Sequence, residues 1–295
     1  MKRKIKESFG SRAFDAVNVV IMILLAIVTL YPFYHIAITS ISDGKAVMRG
    51  AVNLFPVDIT FASYRAVLKD PNIGRSYINT ILYTSLGTLI NLVMTFLCAY
   101  PLSRPNLVGK KYLMAFCLFT MYFSGGMIPT FLIVNNLGMV DTIWAMIIPG
   151  AISTYNMIVT RSFFQGLPEA LHESANLDGA SELKILYHIY LPLSRPIVAT
   201  MALFYAVGHW NSYMSALLYL NKKELFPLQS ILRNMVIQGN MSGATMEAGS
   251  GSDFAIIDTT IKYAVIMVCT LPIIAVYPFI QKYFVKGVLV GSIKG

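Results

Sequence analysis

A short charged segment between long apolar stretches holds the residues of this chain whose types and spacing best suit a specific interaction. The segment Glu173–Ala180 contains two carboxylates and an Asp178-Gly179 step, and an Ile-Tyr-Leu-Pro sequence ending at Pro192 follows it. Because glycine adopts positive φ without a Cβ clash, we expect two short helices separated by a tight turn at Gly179. Pro168 suits the first turn of the first helix, and Pro192 is expected to end the second. An ordinary amphipathic loop is the alternative interpretation of this island, Glu173–Pro192.

Catalytic and metal-binding motifs are absent from the full sequence. It contains no Gly-x-x-x-x-Gly-Lys-Ser/Thr phosphate loop, no His-Glu-x-x-His, no Cys-x-x-Cys and no Gly-x-Ser-x-Gly. The four histidines are far apart in the sequence and are expected to be packing or interfacial residues: His35, His172, His188 and His209. We therefore expect no covalent chemistry, no metal and no cofactor in this chain.

The composition is that of an integral membrane protein. Of the 295 residues, 56% are hydrophobic and only 13% are charged, whereas soluble domains carry about 25% charged residues. The net charge of +9 comes from bases that flank apolar stretches, so the positive-inside rule explains it better than nucleic-acid binding does. Cys98, Cys117 and Cys269 lie inside apolar runs and imply no disulfide framework.

Six stretches are long and apolar enough to cross a bilayer, which takes about 20 residues. They lie near Val17–Ile38, Tyr77–Tyr100, Tyr112–Val134, Thr142–Thr160, Pro196–Leu220 and Tyr263–Gln281. The first is expected to be a retained span rather than a cleaved signal. None of the six contains Asp, Glu, Lys or Arg. Because ion-coupled transporters usually keep an ionisable residue at membrane depth, the energy source is expected to lie in another chain.

The distribution of Lys and Arg predicts which loops face the cytoplasm. Most of the 23 bases fall at the two termini, in the loop after the second span and in the loop that contains the island. Six spans also place both termini on one side of the membrane. The island is therefore expected to face the cytoplasm.

Two local patterns mark departures from simple spanning helices. Helix breakers fall inside three spans: Pro32 in the first, Gly125, Gly126 and Pro129 in the third, and Pro272 and Pro278 in the sixth. Such breaks serve either packing or a transport pathway, and both interpretations stay open.

After the fifth span, apolar residues at helical spacing predict an amphipathic helix at the outer membrane surface: Leu228, Ile231, Leu232, Met235 and Val236.

The island resembles the cytoplasmic EAA loop of ABC importer permeases, which docks on the ATP-binding subunit. The matching order is Glu-x-Ala-x-x-Asp-Gly-Ala followed by Ile-x-Leu-Pro, with Ser174 where the family often has alanine. Phe204–Asn211 is similar to the Trp-Asn segment of maltose-type carbohydrate permeases, and Tyr283–Gly295 to their Lys-Gly tail. Phe123–Pro129 and Pro227–Gln229 resemble the branch that handles oligosaccharides released from polysaccharides.

The resemblance implies an all-α polytopic membrane protein with six transmembrane helices and both termini in the cytoplasm. This is the type I ABC importer permease fold with cytoplasmic coupling helices. Residues 1–76 would hold the N-terminus, the first transmembrane helix and the first external loop. Residues 77–284 would form the core permease domain, with a coupling loop at 165–195, and residues 285–295 a cytoplasmic tail. The implied location is the cytoplasmic (inner) membrane of a bacterium.

By the same resemblance the chain is a non-catalytic transport subunit with several partners. It would pair with a second, homologous permease and with two ABC ATPase subunits, which bind ATP and Mg. An extracytoplasmic sugar-binding protein would deliver an oligosaccharide to the two permeases within the lipid bilayer. No nucleic-acid partner is expected.

Two sets of candidate site residues follow from the resemblance. The ATPase-coupling set comprises Glu173, Ala175, Asp178, Gly179, Ala180, Leu183, Leu186, Ile189, Pro192, Lys286 and Gly287. Within it, Leu183, Leu186 and Ile189 would form an apolar stripe that either enters the ATPase cleft or packs within the helix. The substrate-pathway set comprises Tyr122, Ser124, Tyr155, Asn156, Trp210, Asn211 and Tyr213. Each of these is also an ordinary interfacial or interhelical residue type.

Two other functions are compatible with parts of the sequence. An ABC importer for peptides, amino acids or metals shares the Asp-Gly loop, although the tail and the Trp-Asn segment favour sugar. A membrane enzyme or an ion-coupled transporter would need a catalytic constellation or a charge within the membrane, which the sequence lacks. We expect a neutral or weakly charged oligosaccharide, because the spans offer aromatic and amide groups but no fixed charge.

Overall fold

Helices form all the regular structure in the described part of the chain. The computed structural model describes residues 9–238 and 260–275. The first half contains α1 (Phe9–Ser40), α2 (Gly44–Met48), α3 (Ala62–Lys69), α4 (Pro71–Ser103), α5 (Lys110–Tyr122), α6 (Met127–Asn136) and α7 (Ile143–Ile147). The second half contains α8 (Thr154–Gln165), α9 (Ala170–Leu177), α10 (Glu182–Ile185), α11 (Leu191–Leu193), α12 (Arg195–Trp210), α13 (Tyr213–Tyr219), α14 (Leu228–Gln238) and α15 (Thr260–Ala275). Single 3-10 turns occur at Ile148–Gly150 and Lys223–Leu225, and a π-helical turn at Leu186–Tyr190 joins α10 to α11.

Two helices in the described ranges are long and apolar enough to cross a membrane unaided. They are α1, counted from Gly10, and the 33-residue α4. Three bent pairs are long and apolar enough only when their two helices are taken together, as a broken span or a re-entrant segment. They are α5 with α6, α7 with α8, and the α10–α11 segment with α12, of which the last includes the second half of the charged island. The sixth predicted span, Tyr263–Gln281, begins within α15 and continues outside the described residues.

The break predicted in the third span is confirmed. α5 and α6 meet at an angle of 111°. The residues between them include Gly126, whose φ of +85° is one that favours glycine. Pro129 lies in the first turn of α6, where its missing amide proton leaves no hydrogen bond unmade.

The fourth and fifth predicted spans are each interrupted. α7 and α8 are bent by 51°, because Pro149 cannot donate into a continuing helix and Ser153 begins a new one by accepting the Asn156 amide at 3.4 Å. α12 ends at Trp210, where the Asn211 side chain donates to the Val207 carbonyl at 2.9 Å. A side chain that bonds to its own backbone competes with helix continuation, so α13 starts afresh.

Contacts divide the described residues into two compact units, one formed by residues 9–70 and 260–270 and the other by residues 71–238 and 271–275. In the first, none of the residues in the most apolar part of α1 is buried, which suits a helix surrounded by lipid or by another subunit. Short segments after α1 are held by hydrogen bonds, such as Val57 N to Ser42 Oγ at 3.2 Å and Ser63 Oγ to Thr260 Oγ1 at 2.7 Å.

The second unit is built around α4, which packs against α8 and α12. Polar side chains join these helices: Asn91 donates to the Gly150 carbonyl at 2.5 Å, and its Oδ1 lies 2.6 Å from His209 Nε2. Gly87 allows this approach, because a Cβ there would overlap the same imidazole ring. Interhelical hydrogen bonds of this kind hold membrane helices together where burial of apolar surface offers no gain.

α14 confirms the predicted amphipathic helix and is anchored to α4. Leu228, Ile231 and Met235 are buried, and the helix packs against α4 and α13. The Leu228 amide donates to Thr80 Oγ1 at 2.8 Å, and Tyr83 donates to the Leu225 carbonyl at 2.8 Å. The start of α14 is therefore fixed by the N-terminal half of α4.

A strained aspartate ties the loop after α6 to the end of α13. Asp141 has φ +60°, which is uncommon for a residue other than glycine. Its carboxylate accepts the amides of Asn221 and Lys222 and the Asn221 side chain. These hydrogen bonds, led by that from the Asn221 amide, hold the pKa of the carboxyl below its usual range. The strain persists because the loop is bound at several points.

Candidate functional site

The Asp178-Gly179 step forms the predicted tight turn between α9 and α10. Gly179 has φ +74°. Its amide donates to the Asn176 carbonyl at 3.0 Å, and the Ala180 amide donates to the Ala175 carbonyl at 3.0 Å. These two bonds make a Schellman motif, in which a left-handed residue ends a helix. No heavy atom lies within 4 Å of the position a Cβ on Gly179 would take, so the backbone conformation, not crowding, requires glycine.

A carboxylate at the start of α10 joins both helices of the pair to the end of α4. Tyr100 donates to Glu182 Oε2 at 2.6 Å, and His172 Nε2 lies 3.1 Å from both carboxylate oxygens. Asn176 Nδ2 lies 3.2 Å from His172 Nδ1, so Nε2 is the nitrogen that carries the donated proton. Burial raises the pKa of Glu182, but the hydrogen bonds from Tyr100 and His172 outweigh it and leave the pKa below its ordinary value. The carboxylate is therefore ionised at neutral pH.

An arginine between two tyrosine rings fixes the far end of the same segment. The Arg104 guanidinium lies 5.2 Å from the Tyr100 ring and 4.6 Å from the Tyr190 ring. It donates to the Tyr190 hydroxyl at 2.6 Å. Tyr190 is buried and packs edge-on against Phe164 of α8, with ring centroids 5.6 Å apart. Hydrogen bonds and cation–π contacts therefore attach the helix pair, together with the π-helical turn that follows α10, to the end of α4 and to α8.

The predicted apolar stripe of the second helix is divided between surface and core. Leu183 is 67% exposed, but Leu186 is only 4% exposed and packs in the core. Ile189 is half-buried against the same cluster. The packing interpretation therefore holds for Leu186 and in part for Ile189, whereas Leu183 remains accessible to a partner. The large exposed apolar side chain nearest the turn is Leu177, at 90% exposure.

The other expected coupling residues lie on and around the turn. Glu173 and Asp178 are exposed, Ala175 is buried in the core and Ala180 packs partly against it. Pro192 lies inside α11, which ends one residue later at Leu193. Lys286 and Gly287 lie outside the described residues.

A cavity of about 550 Å³ opens beside this network, between the end of α4 and the helix pair. Its polar lining includes Arg104, Asn106, Glu169, His172 and Glu182. An exposed helix pair with acidic residues and an adjoining cavity can receive a protein partner, and it holds no arrangement suited to covalent chemistry.

The predicted pathway residues do not form one cluster. Tyr122 and Ser124 are exposed at the break between α5 and α6, where Ser124 Oγ accepts the Gly126 amide at 3.1 Å. At the start of α8, Tyr155 is 58% exposed and Asn156 is buried.

Trp210, Asn211 and Tyr213 do come together, at the junction of α12, α13 and α14. Asn211 Oδ1 accepts Gln229 Nε2 at 3.4 Å. The Arg233 guanidinium lies 5.7 Å from the centre of the Tyr213 ring. Two of the seven predicted residues, Asn211 and Tyr213, therefore meet polar side chains of α14, and Trp210 lies next to them in the chain.

Sequence reasoning missed Tyr100, Arg104, His172 and Glu182 as members of the site. The island motif does not require these residue types, and Tyr100 and Arg104 are more than 60 residues distant in the chain. The available signal was their position at the predicted cytoplasmic end of the second span, on the same side as the island.

The described part of the chain is helical and combines apolar helices long enough to cross a membrane with a braced, exposed helix pair. The chain belongs to the family described as "binding-protein-dependent transport system inner membrane component", whose model matches residues 91–290. Membership confirms the predicted family and identifies the chain as a transport subunit rather than an enzyme.

Similar proteins cover nearly the whole chain. Two relatives from Bacillus subtilis (strain 168) are each 43% identical to this chain. The polygalacturonan/rhamnogalacturonan transport system permease protein YtcP matches over 97% of this chain and 99% of its own length. Protein LplC matches over 97% of this chain and 96% of its own length. A solved chain from a bacterial ABC transporter involved in the import of the acidic polysaccharide alginate matches with a TM-score of 0.87 and 36% identity. That match covers 95% of this chain and 100% of the solved one.

Proposed function

We propose that this chain is the permease subunit of an ATP-driven ABC importer, and that it translocates an oligosaccharide delivered by an extracytoplasmic sugar-binding protein. The observation that carries the proposal is the helix pair α9–α10, turned at Gly179 and braced to α4 through Glu182. Such a rigid, exposed pair can transmit force from a partner to the spans. The names of relatives that transport polygalacturonan or alginate support a saccharide as the passenger.

The partners are proposed from the same reasoning. A second, homologous permease completes the passage, and two ABC ATPase subunits bind ATP and Mg and receive the helix pair. The family description, which names a binding protein, supports delivery by an extracytoplasmic component. The chain lies in the cytoplasmic membrane of a bacterium, with six spans in the type I permease fold and both termini inside. The apolar helices and the distribution of Lys and Arg support this topology.

Coupling is a population shift between two states of the permease. ATP binding closes the two ATPases, and the closed pair must contact α9 and α10 more favourably in one state than in the other. Because Glu182 and Arg104 connect the pair to α4, and Tyr190 connects it to α8, a displacement of the pair moves both helices together. The bundle thereby alternates between inward-open and outward-open states.

Two alternative functions would require different residues in the membrane. An importer of a non-sugar solute would use the same helix pair, whereas an ion-coupled transporter would need an ionisable group at membrane depth. The six predicted spans contain no Asp, Glu, Lys or Arg, which favours a drive supplied by ATP.

The test is uptake into proteoliposomes that contain this chain with its partner permease, ATPase and binding protein. We expect oligosaccharide uptake that requires ATP and Mg on the ATPase side and is unaffected by ionophores. Uptake without ATP that ionophores abolish would identify an ion-coupled transporter. ATP-dependent uptake of peptides or amino acids, but not of oligosaccharides, would identify an importer of another solute.

A further inference from the structure

The junction of α12, α13 and α14 places a fixed positive charge beside residues predicted for the sugar pathway. Arg233 projects from α14 to within 5.7 Å of the Tyr213 ring centre, and Asn211 is joined to Gln229 of the same helix. Arg233 lies outside all six predicted spans, so the expectation of a passenger without charge did not take it into account. An arginine beside an aromatic ring and an amide is a group of side chains suited to an acidic sugar.

The polar side of α14 is held in place before any ligand arrives. Leu228, Ile231 and Met235 are buried on the opposite side. Gln229 and Arg233 are one helical turn apart and therefore share a face. Because the start of α14 is bonded to α4, Arg233 needs little reorganisation to meet a ligand.

Arg233 makes neither of the two ion pairs seen within residues 9–238 and 260–275, which are Arg75–Glu224 and His172–Glu182. It lines a small cavity of about 50 Å³ together with Tyr213, Ser230 and other residues of α13 and α14. The buried Oγ of Ser230 has no hydrogen-bond partner in the described part of the chain. The cavity is thus lined by a cation and by a hydroxyl donor without a partner. Among the described residues, no carboxylate forms an ion pair with Arg233.

The size of the cavity limits what can enter it. About 10–15 Å³ of such space is enough for one water molecule, so a cavity of about 50 Å³ is sized for a substituent such as a carboxylate rather than for a whole pyranose ring. The ring would lie outside, against the part of Tyr213 that the Arg233 guanidinium leaves uncovered, since the residue is 38% exposed. Only a substituent of the ring would reach Arg233.

We infer that Arg233 and Tyr213 form a binding site for one uronate unit of an acidic oligosaccharide, with the carboxylate bound by Arg233 and the ring packed on Tyr213. Asn211 and Gln229 are placed to bond the neighbouring hydroxyl groups. Guanidinium and carboxylate match as planar, two-pronged partners, which makes arginine selective for this anion. This inference rests on the proposed function and names its substrate class.

The test is equilibrium binding of radiolabelled trigalacturonate, and of its methyl ester, to the complete importer in nanodiscs without the binding protein. The ester has the same ring and length but no charge. Arg233→Gln should weaken trigalacturonate binding at least about tenfold, the size expected for a lost charged hydrogen bond. Arg233→Lys should restore part of the loss. Binding of the ester should be weaker in the unmodified importer and insensitive to Arg233→Gln. Arg65→Gln, which removes an exposed arginine from α3, is the matched control and should leave both ligands unchanged.

Three results would overturn the assignment. Trigalacturonate binding that Arg233→Gln leaves unchanged removes Arg233 from the site. An equal loss for the acid and its ester indicates a structural role for Arg233. If the affinity of the importer for the binding protein is then measured separately, an effect of Arg233→Gln confined to that affinity indicates a protein contact. In each case the importer still takes oligosaccharides, so the proposed function stands. If the unmodified importer neither binds nor transports any oligosaccharide, the proposed function fails together with this site.

Discussion

Replacing Gly179 with alanine perturbs the turn of the helix pair and almost nothing else. The residue has φ +74° with open space where a Cβ would be, so the substitution acts through backbone conformation alone. A side chain in the left-handed region costs roughly 1–2 kcal/mol. The ratio of closed to opened turns should therefore fall by a factor of about 5–30.

Gly138 provides a control with the same geometry in another place. It has φ +67°, and no heavy atom lies within 4 Å of the position that a Cβ would take. It also ends α6 in a Schellman motif, with Gly138 N to Asn135 O at 2.9 Å and Met139 N to Val134 O at 3.1 Å. Gly138→Ala should thus carry the same conformational penalty, away from the helix pair.

The assay is the number of oligosaccharides taken up per ATP hydrolysed, with the yield of ATPase subunits that co-purify. Gly179→Ala should lower both several-fold, because an opened turn presents no rigid pair to the ATPase. Gly138→Ala should lower thermal stability to a similar extent and leave the uptake ratio unchanged. Equal uptake ratios for the two variants, whether both normal or both reduced, would refute the assignment of coupling to the Gly179 turn.

Three further predictions concern other parts of the chain. A spin label on a cysteine at position 181 should gain mobility as the pH falls through the lowered pKa of Glu182, because protonation removes the negative charge that accepts hydrogen bonds from Tyr100 and His172. These hydrogen bonds are fully formed above the ordinary glutamate pKa of about 4.3. Glu182→Gln should remove the pH dependence. Gly87→Ala should destabilise the subunit by about 1–3 kcal/mol, measured by thermal unfolding, since its Cβ would overlap the His209 ring, whereas Gly208→Ala should not destabilise it. A membrane-impermeant maleimide should label a cysteine at position 181 from the cytoplasmic side only, and one at position 242, outside the described residues, from the opposite side only.

Each of these has an outcome that contradicts it. A label at position 181 whose mobility is the same with Glu182 and with Gln at every pH would show that the carboxylate does not brace the pair. Equal melting temperatures for Gly87→Ala and the unsubstituted chain would mean that the imidazole moves away at no cost. Labelling of the two cysteines from the same side, or from reversed sides, would reject the proposed topology.

Local chemistry made some of the structure predictable from sequence. The turn at Gly179, the break at Gly126 and the amphipathic α14 depend on residues within a few positions of one another. Glycine at a left-handed position and apolar residues at helical spacing are visible without knowing the fold. The island was found for this reason.

What was missed depends on residues far apart in the chain. Glu182 bonds to Tyr100 across 82 positions, and Arg104 to Tyr190 across 86, so no local pattern links them. The same holds for Arg233 and Tyr213, whose meeting depends on how α14 packs. Leu186 stayed undecided at the level of sequence because an apolar residue at helical spacing fits a partner's surface and the chain's own core equally well, and only packing decides between them.

Two helical segments meet at nearly a right angle at Ser194, so a rotation at this corner would move both of their far ends. The Glu182–Leu193 arm meets Arg195–Trp210 at 88°, and at about 1.5 Å per residue the arms are about 18 Å and 24 Å long. A rotation of about 10° at Ser194 would carry the first arm's tip about 3 Å and Trp210 about 4 Å, at right angles to it. Helix α4 links the two segments, because Tyr100 near its end bonds to Glu182 at the start of the first segment and its length packs against α12, the second segment. We therefore expect a displacement of the Glu182 end to reach Trp210 as a joint rotation of these helices, provided that the angle at Ser194 is kept.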